Sequence, residues 1–137
     1  MSKKFPIKPF SVSEPVFGSA VTVYMNCQYQ DMLDDIRSSV PGIVLPKGFD
    51  DAAEHKDSDG CLFNCDSKEG GVFRVLWVRK VLQSDIQSLS VLVHEIVHLC
   101  QYICERKGIS THAKEAEPLA YLCEFYFRNI VNKVPPK

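Results

Sequence analysis

Three residues stand out for chemistry: His94, Glu95 and His98, in the run His94-Glu95-Ile96-Val97-His98. Two imidazoles four residues apart on a helix lie one above the other on the same face, so both can grip one metal ion. Glu95 is turned about 100° from His94. A carboxylate there lies beside the metal rather than on it, where it can take a proton from a water. Zn²⁺ held by two histidines, with the glutamate as general base, is the chemistry this H-E-x-x-H spacing supports.

The surroundings sharpen the expectation. From Ile86 to Cys104 the only charged residue is Glu95, set among Leu89, Val91, Leu92, Val93, Ile96, Val97, Leu99 and Ile103. A carboxylate buried without a partner costs several kcal/mol or is neutralised. A core helix with no task is expected to hold Ala or Leu at that position. Two histidines buried within a turn of it are also costly unless something binds them. The competing reading of the same residues is a satisfied structural cluster without metal.

Two histidines do not complete a catalytic zinc site, which usually has three protein ligands and an open position. Cys104 stands six residues after His98, where one class of peptidase places a third histidine, but Gln101 replaces the glycine that would turn the chain. The helix therefore continues, and Cys104 projects about 80° away from His94. Glu105 lies seven residues past His98, about 10 Å along the axis, which is too far. His112, Glu115, Glu117 and Glu124 remain. Glu117 is favoured, because eighteen residues separate it from His98, enough to finish one helix, turn and enter another. Pro118 disfavours helical geometry at Glu117 but is tolerated in a first turn, so Glu115 stays open as the alternative.

The elements that must position these residues follow from patterning. Ser84-Asp85-Ile86-Gln87 matches a capping box, and the helix it opens runs to about Arg106, with Lys107-Gly108 as its stop. A last helix is expected from about Glu115 to Val131, packed antiparallel on the first. Upstream, strands are expected from about Ser19 to Met25, over Gly60–Cys65 and over Val72–Lys80, with Arg74 and Arg79 facing solvent. Asn26 is expected to cap a short helix over Cys27–Ser38. Residues 1–15 read as an irregular N-terminal segment, 40–51 as a loop or broken strand, and 134–137 as a short tail. His55 reads as a surface histidine. The expected class is α+β in one domain. A short, mostly antiparallel sheet packs on a buried H-E-x-x-H helix and the helix after it.

Composition narrows the partners. A net charge of −1 offers no basic excess for nucleic acid, and no 18-residue apolar stretch offers a membrane span. Pro6 and Pro9 break up the first ten residues, so no secretory signal is expected. The six cysteines, Cys27, Cys61, Cys65, Cys100, Cys104 and Cys123, lack C-x-x-C spacing, and reduced thiols in a cytoplasm are expected.

With its 18-residue gap and Glu117 in Glu115-Ala116-Glu117-Pro118-Leu119-Ala120-Tyr121, the His94–His98 motif resembles the gluzincin branch of the zincin metallopeptidases. The resemblance spans roughly residues 70–128. It implies a zincin-like fold, with His94, His98 and Glu117 as Zn²⁺ ligands, Glu95 as base, and a peptide or protein as substrate. It also implies an edge strand just before the metal helix where an extended substrate can pair, a role that Val72–Lys80 would fill. Tyr121 shares the face of Glu117 and is a candidate oxyanion donor, as is His112. Glu124 is a candidate for orienting a ligand, against a simple i, i+4 pair with Arg128. The runner-up is a zincin-like, zinc-binding interaction module without turnover.

Overall fold

Val12 and Glu14 alternate with Ser11 and Ser13, and that period of two places the first strand where proline punctuation suggests none. In the computed structural model, which describes residues 8–46, 48–49, 55, 57–66 and 72–137, strand β1 runs Phe10–Glu14. The expectation of an irregular segment over 1–15 is therefore corrected for 10–14. Ser11 and Ser13 face out while Val12 and Glu14 are buried. Gly18, at φ +68°, belongs to the turn into strand β2, Ser19–Met25. The two strands pair antiparallel, with Val12 opposite Val21.

Helix α1 follows over Tyr29–Ser39 and buries Tyr29, Met32, Leu33 and Ile36. Its N-cap is Gln28, not Asn26. Asn26 takes a left-handed φ of +60°, and its side-chain oxygen instead accepts the Val81 N–H at 2.8 Å. The next two strands are β3, Gly60–Asp66, and β4, Val72–Val78. The sheet order is β1-β2-β4-β3, with β2 and β4 parallel and the other two pairs antiparallel.

This order corrects one expectation about the site. β4 is an interior strand, and the two edge strands are β1 and β3. The reason is legible in burial: Arg74 to Val78 are buried without a break, as a strand covered on both faces requires. Arg74 is therefore not solvent-facing but 8 % exposed. Arg79 is half-buried, its guanidinium donating to the carbonyls of His55 and Ser58 and lying 5.4 Å from the Trp77 ring centroid. His55 stacks on Tyr29 at 4.3 Å rather than standing free on the surface.

The two sheet faces bury different partners. α1 covers Tyr24, Cys65, Val75 and Trp77 on one face. Helices α2, Ile86–Lys107, and α3, Glu117–Val131, cover Val21, Val23, Leu76 and Val78 on the other. α2 packs over β4 and β3, and α3 packs over β1. The 134–137 segment is docked: Val134 is buried, and the Pro135 and Pro136 carbonyls accept the N–H groups of Gln83 and Ser84. That contact brings the end of α3 to the start of α2, so the two helices run antiparallel. No described helix is long and apolar enough to cross a membrane.

α3 is tied to the far edge of the sheet through Glu14, which is 1 % exposed. Its carboxylate accepts the N–H groups of Val16 and Phe17 and the hydroxyls of Ser19 and Tyr121. The Ser19 hydroxyl also meets Tyr126 at 2.7 Å. Burial pushes the Glu14 pKa up, but these four donors together hold it below the ordinary carboxylate value. A depressed folded pKa means that the unfolded chain binds the proton more tightly. The stabilisation is therefore complete above pH ~4.5 and lost as pH falls through the folded value. Glu14→Gln is expected to lower stability by about 1–3 kcal/mol at neutral pH. In urea titrations from pH 7 down to pH 3, the gap between wild type and variant should narrow with falling pH.

Candidate metal centre on helix α2

α2 is a helix of 22 residues bounded by clear signals. Its N-cap is Asp85, whose side chain accepts the Gln87 N–H at 3.1 Å, so the cap lies one residue after the expected Ser84. Gly108, at φ +68°, closes it, and the Ile109 N–H returns to the Cys104 carbonyl at 2.8 Å. The apolar stripe Leu92, Ile96, Leu99 and Ile103 is buried against sheet and α3.

Helical phase then separates the three motif residues. His94 and His98 are exposed, and Glu95 is buried at 8 % exposure. The expectation of two buried histidines is thus corrected: they sit on the open flank, where a ligand can reach them, and only the carboxylate bears a burial cost. The imidazoles converge, with Nε2 to Nε2 at 3.1 Å and the rings nearly perpendicular at 79°. Two nitrogens bound tetrahedrally to one Zn²⁺ at about 2.05 Å would stand about 3.3 Å apart. At 3.1 Å the two nitrogens share a hydrogen bond in this structure, and their separation is close to the one that two ligands of a single ion would have.

Glu95 faces the seam between α2 and the first residues of β3. Gly60 makes that seam possible. A Cβ there would lie 3.0 Å from the Trp77 carbonyl oxygen, 3.2 Å from Val91 Cγ1 and 3.4 Å from Glu95 Cγ. Burial raises the Glu95 pKa, while the nearby His94 and His98 charges lower it, leaving it net raised. The neighbouring Cys61 thiol is pushed up to about 12, first by burial and then by the Glu95 charge. No described residue donates a hydrogen bond to the Glu95 carboxylate, so its lone pairs are available to a proton.

The remaining candidates lie apart from the pair. Glu117 opens α3, exposed, with Pro118 in the first turn as its chemistry requires. Glu115 ends a 3₁₀ turn over Ala113–Glu115, and His112 caps that turn. Both are exposed. Among the described residues, no three His, Cys, Asp or Glu side chains gather closely enough to hold one ion. The histidine pair thus stands without Glu117 or Glu115 beside it. The Tyr121 hydroxyl donates to Glu14 at 3.0 Å. Glu124 pairs with Arg128, the simpler of its two expected roles. Glu105 is exposed and Cys104 buried.

Sequence reasoning missed Gly60. A glycine opening a strand is a weak signal until the helix that presses on it is known. Gly60→Val is expected to destabilise the protein by about 1–3 kcal/mol through overpacking, read as a lower urea midpoint.

Comparison with protein-family models, with curated proteins and with solved structures finds no match in any of the three, so the case for a metal centre rests on the residues of α2 and the seam they line.

Proposed function

We propose that this protein is a zinc-dependent peptidase of gluzincin type that hydrolyses peptide bonds, with Glu95 as general base. The observation that carries the reading is the approach of His94 and His98 Nε2 to 3.1 Å beside a buried carboxylate that has no donor among the described residues.

His94 and His98 would hold the metal, with Glu117 as the third ligand and Glu115 as the alternative. Bound Zn²⁺ supplies a Lewis acid that polarises a peptide carbonyl and brings the pKa of water toward ~7. Glu95 moves the proton: its carboxylate takes one from the attacking water and returns it to the leaving amine. As an edge strand of the described sheet, β3 would offer main-chain groups with which an extended substrate can pair, next to the seam that holds Glu95. With its hydroxyl committed to Glu14, Tyr121 is placed to hold α3 on the sheet rather than to donate to an oxyanion. All six cysteines are present as thiols, which supports a reducing compartment such as the cytoplasm.

A second reading, zinc binding for interaction without turnover, draws support from the lack of a gathered third ligand among the described residues. Glu95→Gln separates the two. The purified protein is expected to carry about one zinc that chelators remove. The variant should keep that zinc while losing peptide hydrolysis by about 10²- to 10⁴-fold. A protein that holds zinc but cleaves no peptide in a mixed library would favour the second reading. Glu117→Ala should weaken zinc binding at least ~10-fold. Full affinity in that variant, with loss in Glu115→Ala, would move the ligand to Glu115.

A further inference from the structure

Along the same flank of α2, beyond the histidine pair, lies a cleft of about 590 Å³ lined by Asn64, Val72, Arg74, Tyr102, Glu105 and Arg106. Arg74 is the unusual member. It projects from interior strand β4, is 8 % exposed, and its Nε is buried with no hydrogen-bond partner among the described residues. A buried guanidinium nitrogen left unpaired is costly. Burial lowers the Arg74 pKa most, the nearby Tyr126 raises it, and the Arg106 charge lowers it again. Glu105 lines the cleft but forms no ion pair with either arginine among the described residues. Two guanidiniums against one carboxylate leave one positive charge, matched by a single carboxylate rather than by a phosphate dianion.

The cleft lies along the same helical face as the proposed centre, because Tyr102 and Glu105 follow His98 at four and seven residues. β3 runs beside α2, with Gly60 against Val91 and Glu95 and Asn64 lining the cleft with Tyr102. Tyr102 is one turn past His98, about 6 Å along the axis, and Glu105 about 10 Å. An extended peptide advances about 3.3 Å per residue, so the cleft lies two to three residues from a bond held at the pair.

We propose that the Arg74–Arg106 cleft is a specificity subsite that binds a carboxylate of the peptide substrate, supplied by an acidic side chain or by the chain's C-terminus. The planar fork of each guanidinium suits a carboxylate held through paired hydrogen bonds. The inference rests on the peptidase reading for the meaning of the ligand, but its binding can be measured without turnover.

The test uses the zinc-loaded Glu95→Gln protein, in which binding is read apart from cleavage. The probes are acetylated, amidated alanine octapeptides carrying one Glu or one Gln at each position in turn, the same peptide with a free C-terminal carboxylate, and inorganic phosphate. At one position the Glu peptide should bind about 10- to 100-fold more tightly than its Gln partner. A preference confined to the free-acid peptide would identify the terminal carboxylate as the source. Adding Arg106→Gln, an exposed change that leaves the core intact, should abolish most of the preference, as should Arg74→Gln. Glu105→Gln should strengthen it by removing a like charge. Equal affinity for all Glu, Gln and free-acid peptides, or tighter binding of phosphate than of the best carboxylate peptide, would overturn the subsite. A wild-type protein that cleaves none of these peptides, although Glu95→Gln binds the acidic ones, would count against the peptidase reading alone.

Discussion

The arrangement depends on one close approach, that of α2 to the first residue of β3. Gly60 carries no side chain, and Val91 and Glu95 occupy the space that one would fill. β3 is bonded to β4 along its length, from Gly60 opposite Val78 to Asp66 opposite Val72, so this contact fixes the helix against the whole sheet. A larger residue would lift α2 and carry Glu95 away from the strand edge. A carboxylate this buried is sustained only where solvent or a ligand still reaches its oxygens, because full burial without partners costs several kcal/mol. The seam is shallow enough to allow that.

Helical phase divides the work on either side of this rim. Steps of 100° turn His94 and His98 outward while Glu95 stays in the seam with the buried stripe beneath it. The proposed base and the proposed ligands thus come from one helical turn yet meet different surroundings, the one buried and the others open. The opposite side of the molecule has its own anchor. Tyr121 and Tyr126 fasten α3 to Glu14 and Ser19, at the β1 end of the sheet. The first turn of α3, and Glu117 with it, is therefore placed by β1, whereas the histidine pair is placed by β3. Their relation is set by the packing between α2 and α3, and any third ligand from α3 must come across that packing.

Much of this was legible in the chain. The α+β class, the β2 strand, the β3–β4 region, the long helix with its Gly108 stop and the final helix all follow from periodicity and caps. Local chemistry misled where several residues compete for one role. Ser84 and Asp85 both suit an N-cap, and the carboxylate took it. Asn26 looked like a cap and serves as a left-handed corner that ties Val81 to the end of β2. β1 was hidden because Pro6, Pro9 and Pro15 flank a strand of only five residues. Sheet order is a long-range property, and nothing local shows that β4 lies inside and β3 at the edge. Exposure of the histidines was likewise invisible, since it depends on where the helix meets the sheet and not on the residues of the helix.

Two buried charges of opposite sign therefore lie on the same flank of the molecule, Glu95 on α2 and Arg74 on β4, each at a position where the surrounding pattern calls for an apolar residue. They do not neutralise one another: Glu95 feels the histidines and Arg74 feels Arg106 and Tyr126. Replacing a buried ion by a well-packed apolar residue is often neutral or stabilising, so the fold alone requires neither. What the two share is position. Both lie on the side of the sheet that α2 covers, Glu95 against Gly60 of β3 and Arg74 in the cleft about two turns further along the helix. Among the described residues the Glu95 carboxylate has no donor and the Arg74 Nε no acceptor, so the fold leaves an anion and a cation unsatisfied on the side of the sheet that α2 covers.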